Sequence, residues 1–142
     1  MARILVVDDD DTIRVMLGHV LEAHGHSVAL AADGDAGWQA YLADPADVVV
    51  TDLLMPGKDG LALIAELKRA FPEARIIAMS GSRSHYDLDV LDAALKLGAA
   101  HGLSKPFEMA DMLSAVEALL AAGLMAQPAE LPAPRPEREI QG

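Results

Sequence analysis

Apolar and polar positions follow two different periods along this chain. Short apolar runs that are rich in β-branched residues occupy residues 4–7, 28–31, 48–51, 76–79 and, more weakly, 99–103. Each run is followed by a segment whose apolar positions recur every three to four residues, which is the spacing of a helix that buries one face. Because parallel strands need crossover connections, this alternation predicts a parallel sheet covered by helices on both faces.

The helical segments can be delimited from their patterns. The first has apolar residues at positions 13, 16, 17, 20 and 21 and is predicted to end at Gly25, because glycine often closes a helix. The other four are predicted at residues 35–42, 61–70, 86–97 and 108–122. In the fourth helix we expect the stripe of Leu88, Leu91 and Leu95 to pack mostly in the core.

The chain is predicted to divide at residue 122. Its 142 residues are enough for one domain that buries most of its apolar surface. From Gln127 onward the sequence QPAELPAPRPEREIQG is rich in proline and has no periodicity, which is typical of disordered segments. We therefore predict one folded domain over residues 1–122 and a disordered tail over residues 123–142.

Composition narrows the classes of partner. The chain has no cysteine, which excludes a disulfide scaffold and a thiolate metal site. Its formal net charge of −11 repels phosphate backbones, so we expect no direct nucleic-acid binding and favour metal cations and proteins as partners. Since we find neither a membrane-length apolar run nor a secretory signal, we expect no membrane insertion and a cytoplasmic location.

Polar residues with related chemistry stand at the ends of four predicted strands. Ligands of parallel α/β sheets bind outside the carboxyl ends of the strands. These ends carry Asp8, Asp9, Asp52, Ser80, Gly81 and Lys105. Clustered carboxylates need a cation, and a site with oxygen ligands alone suits Mg²⁺. A carboxylate beside such an ion can form an aspartyl phosphate, while a lysine and a hydroxyl bind the phosphoryl oxygens.

Residues 8–11 are four consecutive aspartates, and not all of them need serve the same purpose. Asp10 or Asp11 is expected to cap the first helix, because aspartate accepts hydrogen bonds from the free N–H groups there. Asp8 and Asp9 belong to the strand end, where they either contribute to a cation site or form a solvated turn. Like charges this close repel one another, and a cation together with the helix dipole would offset that repulsion.

Four sequence blocks together resemble the receiver domain of two-component response regulators. They are ILVVDDD at 4–10, VVVTDLLMPGKDG at 48–60, IIAMSG at 76–81 and GLSKPF at 102–107. The resemblance covers about residues 3–122 in one register. The chain as given resembles a stand-alone, chemotaxis-Y-like receiver, and the alternative is that the proline-rich tail is a spacer of a longer product. It implies a flavodoxin-like, doubly wound fold with five parallel strands in the order 2-1-3-4-5 and helices on both faces.

The resemblance also implies a role for each site residue. Asp52 would accept the phosphoryl group. The implied Mg²⁺ ligands are Asp9, Asp52 and the backbone carbonyl of Leu54, with Asp8 acting mainly through water. The implied phosphate-binding and switch residues are Ser80, Gly81 and Lys105. Many receivers have an aromatic residue three positions before the lysine, where this chain has Gly102, so the usual aromatic part of the switch is missing.

The function implied is transfer of a phosphoryl group from a phosphohistidine on a histidine kinase or phosphotransfer protein to Asp52. The protein would catalyse only its own phosphorylation and dephosphorylation, and it would signal to an unidentified downstream protein or relay. A pseudo-receiver that binds proteins without being phosphorylated is the main alternative. A haloacid-dehalogenase-type phosphatase is less favoured, because it needs a second aspartate where this chain has Leu54.

Overall fold

The chain folds into a five-stranded sheet between two layers of helices. The computed structural model describes residues 2–55, 57–81, 85–105 and 107–130, with the backbone alone for residues 85–89 and 123–130. The strands are β1 (Arg3–Val7), β2 (Ser27–Ala31), β3 (Val48–Asp52), β4 (Ile76–Ser80) and β5 (His101–Ser104). The helices are α1 (Asp11–Ala23), α2 (Gly34–Ala43), α3 (Gly60–Ala70), α4 (His85–Leu97) and α5 (Met109–Glu130).

All neighbouring strands are parallel, and their order is β2-β1-β3-β4-β5. The structure therefore confirms the predicted flavodoxin-like, doubly wound class. The chain reverses its direction of travel across the sheet between β1 and β3, so a crevice opens at the carboxyl ends of these two strands. Val7 of β1 pairs with Thr51 of β3. Asp8 and Asp52, which follow this pair, therefore lie side by side at the crevice.

Alternate residues of the central strands enter two separate cores. Leu5, Val7 and Val49 face the layer formed by α2, α3 and α4. Ile4, Val6 and Val50 face the layer formed by α1 and α5. Because both faces are covered, the central strands are apolar at nearly every position, which is why they read as continuous runs in the sequence.

Aspartates are the N-caps of three helices, α1, α2 and α3. Asp10, Asp33 and Asp59 each accept hydrogen bonds from backbone N–H groups two or three positions later, at 2.7 to 3.2 Å. The cap at the other end of α1 is His24, so the prediction that Gly25 is the cap was wrong by one residue. Gly25 is the next residue and has a φ of 91°, which is the left-handed conformation that favours glycine.

Two further details differ from the sequence-based expectations. The fifth helix extends to Glu130 instead of ending near Ala122; it continues past Gly123 through the strong helix formers Leu124, Met125 and Ala126. Leu95 was expected in the core, but 45% of it is exposed; the side chain of Leu88 lies outside the described residues. Residues 131–142 also lie outside them, and the disorder of the tail stays a prediction.

Membrane insertion was not expected from the sequence. Within the described part of the chain, the search for a helix that is both long and apolar enough to cross a bilayer finds none.

Candidate functional site

Three carboxylates meet at the carboxyl ends of β1 and β3. Asp8, Asp9 and Asp52 each offer an oxygen atom, and these atoms lie within 4.8 Å of one another. Asp8 is fully buried and Asp52 is nearly so, while Asp9 is exposed. The solvated-turn alternative is therefore wrong for Asp8. The arrangement suits a hard divalent cation, which prefers carboxylate oxygens and keeps part of its water shell.

Lys105 supplies a positive charge to this cluster. Its Nζ donates a hydrogen bond to Asp8 Oδ2 at 2.9 Å and lies 3.5 Å from Asp52 Oδ1. The backbone N–H of Lys105 donates to the carbonyl of Ser80 at 2.7 Å, which fixes the end of β5 beside β4. The lysine thus reaches past β4 to carboxylates on the two central strands.

Both carboxylate oxygens of Asp8 are already engaged within the protein. Oδ1 accepts a hydrogen bond from the backbone N–H of Asp10 at 2.9 Å, and Oδ2 accepts from Lys105. The Arg14 guanidinium donates to the backbone carbonyl of Asp8 at 2.7 Å. Sequence reasoning missed Arg14, although its position three residues after Asp11, on the same face of α1, is the spacing of an ion pair.

The four aspartates divide between two structures, as predicted. Asp8 and Asp9 belong to the carboxylate cluster. Asp10 is the N-cap of α1, and its Oδ1 accepts from Thr12 N at 2.9 Å and Ile13 N at 3.2 Å. Asp11 is the first residue of the helix and pairs with Arg14.

Asp52 has the most unusual electrostatic environment of the group. Its Oδ1 is buried and accepts no hydrogen bond from the described residues. The pKa of Asp52 is raised to about 6: burial is the largest cause, the charges of Asp8 and Asp9 also raise it, and Lys105 opposes them. Burial also opposes the charged form of Lys105, but the hydrogen bond to Asp8 and the charges of Asp52 and Asp8 outweigh it and raise the lysine pKa.

The loop after Asp52 is closed tightly on itself. The backbone N–H of Gly60 donates to the carbonyl of Leu53 at 3.0 Å, and that of Leu53 donates to Met79 at 2.9 Å. A Cβ on Gly60 would lie 2.1 Å from the carbonyl oxygen of Asp52, so this close approach requires glycine. The side chain of Leu54 is 39% exposed, and the metal-binding role of its carbonyl stays a prediction.

Ser80 and Gly81 lie beside the cluster at the end of β4. Ser80 is fully buried and directly follows Met79, which pairs with Asp52 in the sheet. Gly81 is exposed, and a Cβ there would lie 3.5 Å from Cδ of Lys105, which is an ordinary contact. The structure thus brings the predicted serine, glycine and lysine to one edge, next to the carboxylates.

The family of this chain is identified by a sequence match that includes the ends of β1, β3, β4 and β5. The sequence matches the family described as "Response regulator receiver domain" over residues 4–117. The chain belongs to this family. The receiver is 36% identical over 118 residues to the transcriptional regulatory protein RprY of Bacteroides fragilis, which covers 83% of this chain and 49% of RprY.

Further relatives and solved structures agree. The receiver is 38% identical over 115 residues to FixJ of Azorhizobium caulinodans, covering 81% of this chain and 53% of FixJ; it thus spans about half the length of RprY and FixJ. A receiver domain protein from Clostridium thermocellum superimposes with a TM-score of 0.82 at 31% identity, covering 89% of this chain and 99% of that one. Chemotaxis protein CheY4 of Vibrio cholerae superimposes with a TM-score of 0.74 at 26% sequence identity, covering 84% of this chain and 98% of that one.

The receiver has an open pocket next to the cluster. Its volume is about 450 Å³, and it lies between the start of α1, the end of β4 and the start of α5. Its lining residues are Asp10, Ile13, Met16, Gly81, Lys105, Phe107 and Met109. The pocket therefore gives access to Lys105 from a largely apolar surface.

Gly102 is exposed, but a side chain at this position would meet Leu91 of α4. A Cβ at this position would lie 3.0 Å from Cδ2 of Leu91 in α4. Leu91 packs against the core at the place where the side chain of residue 102 would begin. An aromatic side chain at 102 could therefore enter this receiver only if Leu91 moved.

The raised pKa of Asp52 predicts a pH-dependent cost to stability in the metal-free receiver. The folded protein binds a proton on Asp52 more tightly than the unfolded chain, whose aspartate titrates near 3.8. The destabilisation is therefore complete above pH 6 and disappears as the pH falls toward 4. Since one pKa unit corresponds to about 1.4 kcal/mol, Asp52→Asn should raise the free energy of unfolding by up to about 3 kcal/mol at pH 8.

Urea denaturation in the presence of a chelator at pH 4 and pH 8 measures this effect. The gain from Asp52→Asn should be present at pH 8 and nearly absent at pH 4. Asp92→Asn, which changes a carboxylate on the exposed face of α4, should show a small difference that is the same at both pH values. A gain from Asp52→Asn that does not change with pH would contradict the electrostatic origin.

Proposed function

We propose that this receiver accepts a phosphoryl group on Asp52 in a Mg²⁺-dependent reaction and signals by the resulting change of conformation. The observation that carries the proposal is the buried Asp52 Oδ1, which accepts no hydrogen bond from the described residues and lies among two further carboxylates and a lysine. Apart from the ion pair with Lys105 at 3.5 Å, this buried carboxylate oxygen has no polar partner among the described residues, and a bound ligand would complete its environment.

The donor set supports a divalent cation at the cluster. Asp9 and Asp52 would contact the ion directly together with the carbonyl of Leu54. Asp8 would act mainly through water, because both of its oxygens already accept hydrogen bonds from Asp10 and Lys105. When bound, Mg²⁺ supplies positive charge to a phosphoryl oxygen, which lowers the repulsion between a phosphate and the carboxylates.

The chain's own residues perform the transfer. A carboxylate oxygen of Asp52 attacks the phosphorus of a phosphohistidine, a P–O bond forms, and the P–N bond breaks with its electron pair going to the departing imidazole. Lys105 lies 3.5 Å from Asp52 Oδ1, so its ammonium can bind an oxygen of the new phosphoryl group. Water later attacks the phosphorus and releases phosphate and a proton, which restores the carboxylate.

The ends of β4 and β5, which lie beside Asp52, would change their arrangement when Asp52 is phosphorylated. Lys105 and Ser80 are joined through their backbones at 2.7 Å, so attraction of either side chain by the phosphoryl group also affects the end of the neighbouring strand. The phosphate would thus favour one of two arrangements of this edge. Because residue 102 is a glycine and not an aromatic residue, this change of conformation would depend on Ser80 and Lys105.

The phosphodonor is proposed to be a histidine kinase or a histidine phosphotransfer protein that brings its phosphohistidine to Asp52, beside Lys105. The reaction is the receiver's own phosphorylation and dephosphorylation, and the output is a protein–protein contact. The relatives RprY and FixJ are about twice as long as the aligned segment, so the downstream partner is not carried over from them. A cytoplasmic location stays a prediction.

Beryllofluoride, which mimics a phosphoryl group on a carboxylate, tests the proposal. Addition of beryllofluoride and Mg²⁺ should shift the amide resonances of Leu53, Ser80, Gly81 and Lys105. Omitting Mg²⁺ should prevent the shifts, and so should Asp52→Asn, whereas Asp92→Asn should retain them. If the wild-type spectrum does not change, the protein is a pseudo-receiver that binds its partners without phosphorylation.

A further inference from the structure

A second charged cluster lies on the loop that follows Asp52, away from the carboxylates. Lys58 Nζ donates a hydrogen bond to Glu66 Oε1 of α3 at 2.6 Å and lies 3.6 Å from Asp35 Oδ1 of α2. It also lies 5.5 Å from the centroid of the Trp38 ring. The Lys58 side chain is 18% exposed and that of Glu66 35%, so this pair is screened less than an ordinary surface pair, whereas Asp35 is 80% exposed and its pairing with Lys58 is weaker.

The backbone of Lys58 is held as closely as its side chain. A Cβ at Gly34, the first residue of α2, would lie 2.3 Å from the carbonyl oxygen of Lys58. The N-terminus of α2 therefore packs directly on the loop. Lys58 is thus in contact with α2 through its backbone and with both α2 and α3 through its side chain.

The loop connects this cluster to the proposed metal site. It begins at Asp52, and Gly60 at its far end lies against the carbonyl of Asp52. Leu53 and Met55 are buried in the core, while Leu54 between them is exposed and Gly57 has a φ of 74°. The path of the backbone around Leu54 is therefore fixed by apolar contacts on one side and by the attachments of Lys58 on the other.

We propose that Lys58 is a positioning residue for the metal site: its contacts with Glu66, Asp35 and Trp38 hold the loop in the conformation in which the Leu54 carbonyl can bind the ion, and this raises the affinity for Mg²⁺. The inference rests on the proposed function, because the metal-binding role of the Leu54 carbonyl belongs to that proposal. It adds a residue that touches neither the ion nor the phosphoryl group.

The direction in which the Mg²⁺ affinity changes when Lys58 is substituted distinguishes a positioning role from a purely electrostatic one. Removing a positive charge near an acidic cluster strengthens cation binding, because the repulsion between lysine and ion is lost. A role in positioning predicts the opposite, since a displaced carbonyl contributes less to the ion. A role in folding stability alone would leave the affinity of the folded protein unchanged.

Isothermal titration with Mg²⁺ tests the inference on the full chain. Lys58→Met and Lys58→Gln should weaken Mg²⁺ binding by about tenfold, the lower end of what residues outside the ligand set contribute. Lys58→Arg keeps the charge and the contact with the Trp38 ring, so its affinity should stay within about twofold of wild type. Lys96→Met, which removes an exposed cation paired with Asp92 on α4, serves as the charge-matched control and should not weaken binding.

Amide resonances of the metal-free variants give an independent measurement. Lys58→Met should shift the amides of Leu53, Leu54 and Gly60, whereas Lys96→Met should leave them in place. Equal or stronger Mg²⁺ binding by Lys58→Met and Lys58→Gln would overturn the positioning role. Failure of the wild-type protein to bind Mg²⁺ would instead overturn the proposed function, so the two failures can be told apart.

Discussion

Asp52→Asn should abolish phosphoryl acceptance. The amide has no negatively charged oxygen to attack phosphorus, and Asp8 cannot replace it, because both of its oxygens are engaged by Lys105 and the backbone of Asp10. Incubation with a small acyl phosphate and Mg²⁺, followed by intact-mass measurement, should show one added phosphoryl group on wild type and none on the variant.

The control for this experiment is Asp92→Asn, which makes the same chemical change on an exposed surface of α4. This variant should be labelled as completely as wild type. The urea denaturation of Asp52→Asn shows whether the variant is folded, which separates loss of the acceptor from unfolding. Phosphorylation of Asp52→Asn to the wild-type extent would show that another residue is the acceptor.

Asp9→Asn should weaken Mg²⁺ binding by about 100-fold, since even residues outside the ligand set of a metal site contribute about 10- to 100-fold. Asp9 is the exposed member of the carboxylate cluster, so its oxygens are open to an entering ion. Labelling by the acyl phosphate should fall in parallel, because Mg²⁺ offsets the repulsion between the phosphoryl group and the carboxylates. Calorimetric titration gives the affinity directly.

Asp11→Asn is the matched control for Asp9→Asn, because it removes the same charge two residues further along the chain. Asp11 lies in the first turn of α1 and pairs with Arg14, which contacts the backbone carbonyl of Asp8 and not its carboxylate. We expect little change in Mg²⁺ affinity or labelling. Equal losses from the two substitutions would mean that the ion responds only to the net charge of the aspartate run, and the assignment of separate roles would be wrong.

The helices and strands could be predicted from the sequence because the burial of each one leaves a local pattern of apolar and polar residues. The central strands are buried on both faces and therefore appear as short apolar runs, and Asp10 and Asp59 cap helices through contacts only two or three residues away. The site edge was also predictable, because parallel strands bring their carboxyl ends together. Local capping and strand polarity thus carried most of the prediction.

The features that the sequence did not reveal arise mainly from contacts between residues that are far apart in the chain. The ion pair of Lys58 with Glu66 and its contact with Trp38 join three elements, and no local spacing points to them. The full burial of Asp8 likewise follows from packing, since a strand-end aspartate is equally compatible with a solvated turn. The end of α5 was missed because the proline-rich composition outweighed the helix formers that follow Ala122.

The hydrogen bond between Asp8 and Lys105 joins residues that are 97 positions apart. During synthesis from the N-terminus, β1, β3 and their carboxylates emerge well before the lysine that neutralises them. A nascent chain that has not yet added β5 therefore holds the acidic residues without their counter-charge, and docking of the last strand completes both the sheet edge and the charge balance. The charge balance of the carboxylate cluster is thus completed late in folding, only when the C-terminal part of the domain has assembled.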